Sequence, residues 1–487
     1  MKIKNITLLL LLSAALVPAH AHATSVRRTT RQAGRATVFQ NVNVIPMDRE
    51  RVLKNQTVLV RDGRVVEMGD ARKVRVPEGA LRVDGRGKYL VPGLIDMHTH
   101  LFSDDDFPDR LAGDELTLML ANGVTTIRLM IGTPEHLAMR AQVSRGEMPL
   151  APTLYVASPQ LTGHARYAES NGRHVTTPEQ ARQAVRDFKA AGYDFIKMTN
   201  FITPEVYDAA TEAAREAGIR VVGHVDTRVG VARALAAGQQ IEHLDAYLES
   251  VLKDDSPIKT SVSDVGLFRK ENWTSLDHID DNKVRAIARA TARAGVYSTP
   301  TLTFFKITYG NGATDEEIRA RPDYRFAPPH KRALWERVSK RLRDNQASEA
   351  RRREYVRVRN LLVKEIHAAG GKIMTGSDTP EWFLLYGWTL HREMRSLVEA
   401  GLSNYAALEA ATRNPAEYLK ASGVFGTIAP GRRADLLLLD ANPLDDIANT
   451  ERRAGVMVRG RWLPDAELRK MLDDIAVRFQ AVSGPEK

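Results

Sequence analysis

His98 and His100 stand two residues apart, closing the apolar run Leu94-Ile95-Asp96-Met97. On a β-strand that spacing turns both imidazoles to one face and Thr99 to the other. Paired imidazoles suit a divalent cation of the zinc type, more so with a carboxylate nearby, and a catalytic site keeps one position open for water. An HxH pair alone arises by chance in cores and on surfaces. Here the pattern repeats. Lys197 lies in Phe195-Ile196-Lys197-Met198, His224 follows Arg220-Val221-Val222-Gly223, His243 follows Gln240-Ile241-Glu242, and Asp378 closes Thr375-Gly376-Ser377-Asp378. Each sits in or just after its own short apolar run. Lys197 taken by itself could equally be an ordinary lysine reaching solvent or Asp194.

Holding these residues together requires a set of parallel strands. The runs 94–97, 124–129, 153–157, 195–199, 220–225, 240–243, 296–299 and 372–375 make eight candidate strands. Several are separated by alanine-rich amphipathic stretches, 178–191, 204–217 and 282–294, each ending near a glycine as helix C-termini prefer. Steady strand–helix alternation argues for a parallel sheet. Eight repeats over roughly 330 residues suit a closed barrel, with an open doubly wound sheet as the alternative. In a barrel the active site lies at the C-terminal ends of the strands, where these polar residues fall. The expected fold class is α/β: a (β/α)8 TIM-like barrel over residues 91–421, with a small β-sandwich domain formed by both chain ends, residues 24–90 and 422–487. That second part rests on the β-branched segment Thr37 to Ile45, an Asp62-Gly63 hairpin signal, and β-rich stretches at 434–439 and 456–458.

At the N-terminus, Lys2 and Lys4 precede an apolar run from Ile6 to Val17 and the small-residue stretch Pro18 to Ala23. That is the order of a secretory signal peptide, and the run is shorter than the ~20 residues of a spanning helix. Residues 1–23 are expected to be a cleaved leader, leaving a periplasmic or secreted protein with no membrane anchor. The 487 residues contain no cysteine, which excludes a disulfide framework and a lipoprotein anchor. The formal net charge of +10 becomes +8 once Lys2 and Lys4 leave. Much of the excess sits between Lys331 and Arg359. A solvated helix or lid accounts for that stretch, an anion-binding face being the alternative. A nucleic-acid partner is not expected, and homo-oligomerisation is left open.

The segment from Val91 through Pro92-Gly93-Leu94-Ile95-Asp96-Met97 to His98-Thr99-His100 resembles the signature opening of the amidohydrolase superfamily. Gly376-Ser377-Asp378 resembles its eighth-strand aspartate motif, Ala411 to Ala416 the helix that follows, and Gly426 to Leu436 the return into the sheet domain. The likeness covers nearly the whole mature chain and points to the branch of imidazolonepropionase-like proteins and Xaa-Pro dipeptidases. It implies a hydrolase of an amide bond, peptide-like or in an N-acyl amino acid. It also implies two divalent metal ions, zinc first among them, one held by His98, His100, Lys197 and Asp378, the other by Lys197, His224 and His243. Carbon dioxide, captured as a carbamate on Lys197, would bridge them; only a neutral amine reacts this way, and burial lowers a lysine pKa. A mononuclear centre stays open. A bridging hydroxide would attack the substrate carbonyl while Asp378 moves the proton to the leaving amine, unless Asp378 is a ligand only.

Substrate contacts follow from the same resemblance. His164, in Leu161-Thr162-Gly163-His164, partly matches a Gly-Gly-His loop and could orient the substrate carbonyl, but Thr162 replaces the first glycine. Arg166 and Tyr167 are candidates to hold a substrate carboxylate, with surface placement as the plainer reading. Asp226 departs from the dipeptidase pattern after the fifth strand. His391 and Glu393 are expected to be buried structural residues, while 254–273 and 309–345 look like long loops at the barrel mouth. Aromatic Trp273, Phe304, Phe305 and Tyr309 could line an apolar pocket or the core. Rival functions are hydrolysis of cyclic amides, lactones or other esters at the same centre, and an inert metal- or anion-binding protein.

Overall fold

A computed structural model describes residues 36–101, 113–169, 172–257, 270–310, 314–344 and 347–482. The leader at 1–23 lies outside them. Both chain ends contribute to one eight-stranded sheet. Its strands are β1 (Thr37–Val44), β2 (Leu53–Arg61), β3 (Arg64–Asp70), β4 (Leu81–Asp84) and β5 (Tyr89–Pro92) from the N-terminal part. The C-terminal part supplies three strands, Leu436–Leu439, Arg453–Val458 and Arg461–Pro464, the first of them antiparallel to β5. Arg61 and Arg64 are paired across the Asp62-Gly63 turn, where both φ angles are positive. That is the conformation an Asp-Gly hairpin demands. Phe39, Val42, Val44, Val58, Leu436 and Leu438 form this sheet's own apolar cluster.

Between the two ends run the parallel strands. β6 (Leu94–Thr99), β7 (Val124–Leu129) and β8 (Thr153–Val156) form one parallel sheet. A second contains β9 (Gln160–Thr162), β10 (Gly172–His174), β11 (Phe195–Met198), β12 (Arg220–Gly223), β13 (Gln240–Glu242), β14 (Tyr297–Thr299) and β15 (Lys372–Ile373), all parallel, in the order β10-β9-β11-β12-β13-β14-β15. Isolated parallel bridges link Ala157 to Phe195 and Thr99 to Thr379, so each edge of the smaller sheet touches the larger one. β6, β7 and β11 are buried on both faces, as near-continuous apolar runs require.

The connecting helices start and stop where their sequences dictate. Thr133, Thr177 and Thr203 cap helices that open with Pro134, Pro178 and Pro204. A threonine oxygen satisfies an orphan N–H there, while proline at the first position lacks the N–H that would need a partner. Gly146, Gly192 and Gly295 end three helices in the left-handed conformation.

Two regions differ from expectation. The stretch 309–345 is not a loop: it carries the helices Asp315–Arg319 and Pro329–Asp344 and a 3-10 turn at Pro322–Phe326. The last part of the expected β-rich end is the helix Asp465–Val482, whose Leu468, Leu472, Ile475 and Phe479 are buried. Their i, i+4, i+7 spacing is helical, and it escaped notice beside the strong β signal just upstream. The basic stretch becomes two helices, the second being Glu349–Ala368. On it Arg351 pairs with Asp277, Arg353 with Glu349 and Arg357 with Glu354, so these three arginines belong to a solvated face. No helix among the described residues is long and apolar enough to cross a membrane.

Candidate metal centre

Parallel strands that begin at one level also end at one level, and the polar residues terminate there together. His98 lies inside β6, Lys197 inside β11, and His224, His243 and Asp378 follow the ends of β12, β13 and β15. All are buried, as is His100. Asp378 Oδ1 is 3.3 Å from His98 Nε2 and 3.2 Å from His100 Nε2, so the two imidazoles do share a face. The His98 ring is 4.5 Å from that of His243, which stacks at 4.8 Å on His224. Thr99 turns away, its hydroxyl 2.9 Å from that of Thr379.

Three of the histidines are each held at Nδ1 by a second residue. His98 Nδ1 lies 2.6 Å from Glu242 Oε2, and His224 Nδ1 2.7 Å from Asp245 Oδ2. A carboxylate at Nδ1 fixes the proton there and leaves the Nε2 lone pair available. His243 Nδ1 lies 2.7 Å from Thr301 Oγ1. Burial, followed by neighbouring positive groups that include Lys197, holds His98, His224 and His243 below the usual histidine range. The neutral imidazole that results is the ligand form. Glu242 is itself anchored by Arg128, whose Nη2 donates to its Oε1 at 2.6 Å, while Arg128 Nε donates to the Met97 carbonyl at 2.7 Å. Burial pushes Glu242 up to about 7. Asp96, likewise raised to about 7 by burial, accepts the N–H groups of His98 and Ser377 and so ties the first strand to the Asp378 loop.

Lys197 is 1% exposed, and among the described residues its amine has no hydrogen-bond partner. Asp194 is engaged instead with Arg140 and the Val156 N–H, and the route to solvent is closed by burial. Burial lowers the amine to about 8. An orphaned amine whose neutral form is brought closer to reach by burial, beside three neutral imidazoles and a carboxylate, fits a divalent metal centre, and fits the uptake of carbon dioxide. His98, His243 and Asp378 each bring one ligand atom within 4.8 Å of the others.

The backbone pays a conformational cost at this end. His243, Leu244, Ala246, Thr301 and Asp378 all have φ between 45° and 63°, and each non-glycine residue held there costs about 1–2 kcal/mol. Gly223, which precedes His224, has φ +116°, and a Cβ on it would meet Met198 O at 2.3 Å and Lys197 Cδ at 2.9 Å.

His164 is exposed, with its ring 4.9 Å from Phe201. Arg166 and Tyr167 fall on the short helix Ala165–Glu169, but their side chains lie outside the described residues. Thr162 Oγ1 accepts the His164 N–H, and a Cβ on Gly163 would strike Phe201 O at 1.8 Å. Asp226 accepts the Phe201 N–H and binds Arg228, which gives it a loop-bracing role. Trp273, Phe305, Tyr309 and Tyr355 are buried and pack together as core, Trp273 and Tyr309 meeting Tyr355 edge to face. His391 and Glu393 are buried structural residues: His391 bridges Asn122 and Thr450, and Glu393 accepts the N–H groups of Leu302 and Thr303.

Arg128, Glu242, Asp245, Thr301 and Arg359 escaped the sequence reading. The available signal was a charge inside an apolar run, most plainly Arg128 in Val124–Leu129, since arginine is almost never buried without a partner.

A family model described as the amidohydrolase family matches residues 89–463. The chain belongs to that family. An imidazolonepropionase of Acidiphilium cryptum is 25% identical over 81% of this chain and 90% of its own. One of Stenotrophomonas maltophilia is 34% identical over 22% of this chain and 28% of its own. The aligned parts of several such relatives therefore span half of their length or less. Among solved structures, one described as a prolidase of Bifidobacterium longum is 26% identical with a TM-score of 0.64, covering 91% of this chain and 99% of that one.

Proposed function

We propose that this amidohydrolase cleaves an amide bond, peptide-like or in an N-acyl amino acid, at a centre of two divalent metal ions of the zinc type. His98, His100, Lys197, His224, His243 and Asp378 would hold them. The observation that carries the reading is the Lys197 amine, wholly buried, partnerless and lowered to about 8. Converted to a carbamate, that side chain changes from an orphan donor into a two-oxygen ligand. The bound ions would supply a Lewis acid and a means of ionising water near neutral pH.

The chain's own residues supply the remainder. Glu242 and Asp245 keep the Nδ1 protons of His98 and His224 in place, so both imidazoles stay oriented and neutral. Asp378, between His98 and His100, is placed to take a proton on a carboxylate oxygen and return it to a leaving amine. The two bridges at Ala157 and Thr379 support closure of the eight strands into a (β/α)8 barrel, with both chain ends forming the adjoining β domain. The N-terminal leader pattern supports export. A single-ion centre, acting on a cyclic amide or lactone, is favoured by the tight His98, His243 and Asp378 trio.

Protein produced with bicarbonate is expected to carry about two ions per chain and to cleave members of a panel of dipeptides and N-acyl amino acids. Lys197→Ala should lose the bridged pair and recover part of it with short carboxylic acids. Unchanged metal content in that variant removes the carbamate. Activity in a metal-free preparation removes the metal reading altogether.

A further inference from the structure

Arg359 comes from the helix Glu349–Ala368, on the outer layer, yet it is only 9% exposed. It points inward while its basic neighbours on the same helix pair with surface carboxylates. Its Nη2 donates to the His243 carbonyl, and also lies 3.3 Å from the Pro300 carbonyl. The guanidinium lies 3.4 Å from the centre of the Phe305 ring. The His243 carbonyl belongs to a left-handed residue just after β13, and the Pro300 carbonyl to the peptide bond that leads into another, Thr301. His243 and Leu244 have φ of 60° and 54°, and Thr301, directly after Pro300, has φ of 45°. Thr301 in turn holds the His243 ring through Nδ1.

One guanidinium therefore grips His243 twice, at its backbone and, through Pro300 and Thr301, at its imidazole. Neither left-handed segment contains a glycine to favour that conformation, so it must be imposed from outside. We propose that Arg359 is a positioning residue that holds the His243 turn in its left-handed form and thereby aims the His243 imidazole into the centre. The consequence for metal affinity rests on the two-ion reading above; the consequence for the turn does not.

The test uses Arg359→Met, which keeps bulk and stacking but removes every donor, and Arg359→Lys, which keeps the charge. Leu362→Ala on the same helix serves as a control for lost packing. Arg359→Met should lower affinity of the apo-enzyme for zinc at least tenfold in calorimetric titration, Arg359→Lys should recover part of it, and Leu362→Ala should lose thermal stability without that loss. Equal affinity in Arg359→Met and wild type overturns the proposal, as does a loss that merely tracks thermal stability across all three variants. Should wild-type protein bind no metal, the two-ion reading fails by itself. The backbone of residues 243–244 in a crystal structure of Arg359→Met then decides the positioning role: a changed turn upholds it, and an unchanged one overturns it.

Discussion

The proton on Nδ1 of a buried histidine decides which nitrogen can bind a cation, and in this protein carboxylates make that choice. Glu242 sets it for His98 and Asp245 for His224. Glu242 lies 144 residues from His98, and no spacing rule connects positions so far apart. The histidines were legible because each ends an apolar run; their orienting partners were not, because a carboxylate beside His243 in sequence serves a different histidine in space. Glu242→Gln keeps the shape but can no longer anchor the His98 proton as a carboxylate does. Metal affinity should fall about 10- to 100-fold, read by competition with a zinc chelator. Because Arg128 would be left without its fully buried carboxylate, unfolding in urea should also show a loss approaching about 3 kcal/mol. Unchanged values on both measures would remove Glu242 from the support of the centre.

Strand ends are the elements on which the site depends, and their geometry is stricter than an apolar pattern reveals. Eight of the ten strands in 94–375 were visible as short runs, with boundaries within a residue or two, because buried parallel strands are largely apolar. The short strands β9 and β10 were not, since Gln160-Leu161-Thr162 and Gly172-Arg173-His174 hold a single large apolar side chain between them. Gly223 shows what an end requires: the Lys197 side chain and the Met198 carbonyl fill the space of its missing Cβ. Gly223→Ala should destabilise the protein by about 2–4 kcal/mol in urea unfolding and lower metal content, because relief of the clash must move Lys197 or His224. A fully metallated variant of normal stability would show that the strand end yields freely. The helix Glu349–Ala368 makes the converse point. Its outward arginines follow from charge pattern, whereas the inward turn of Arg359 depends on which carbonyls the folded chain presents to it.

At the scale of the whole molecule, His391 ties the two parts of the chain together. Its Nε2 donates to the Asn122 carbonyl behind β6 and β7, and its Nδ1 lies 2.9 Å from Thr450 Oγ1, just before the strand Arg453–Val458. Burial, with nearby arginines, pushes it down to about 3 from an ordinary value of 6.5. A depressed folded value means that below pH 6.5 the unfolded chain binds a proton the folded chain refuses. Stability from this group is thus complete above about pH 6.5 and is lost as pH falls toward 3, by up to about 1.4 kcal/mol per unit. His391→Gln should flatten the fall in urea midpoint between pH 7 and 5; an unaltered slope would place the acid sensitivity elsewhere. Across the molecule, the sequence by itself determined the strand–helix alternation, the Asp-Gly hairpin, the helix caps and the six ligand candidates, because each is written in local spacing and residue type. Only the tertiary structure decided that Lys197 is partnerless, that Glu242 serves His98, that Asp226 braces a loop, and that an arginine from an outer helix holds His243. Those are contacts between distant segments, and burial and pairing exist only once the strands have brought their ends to one level.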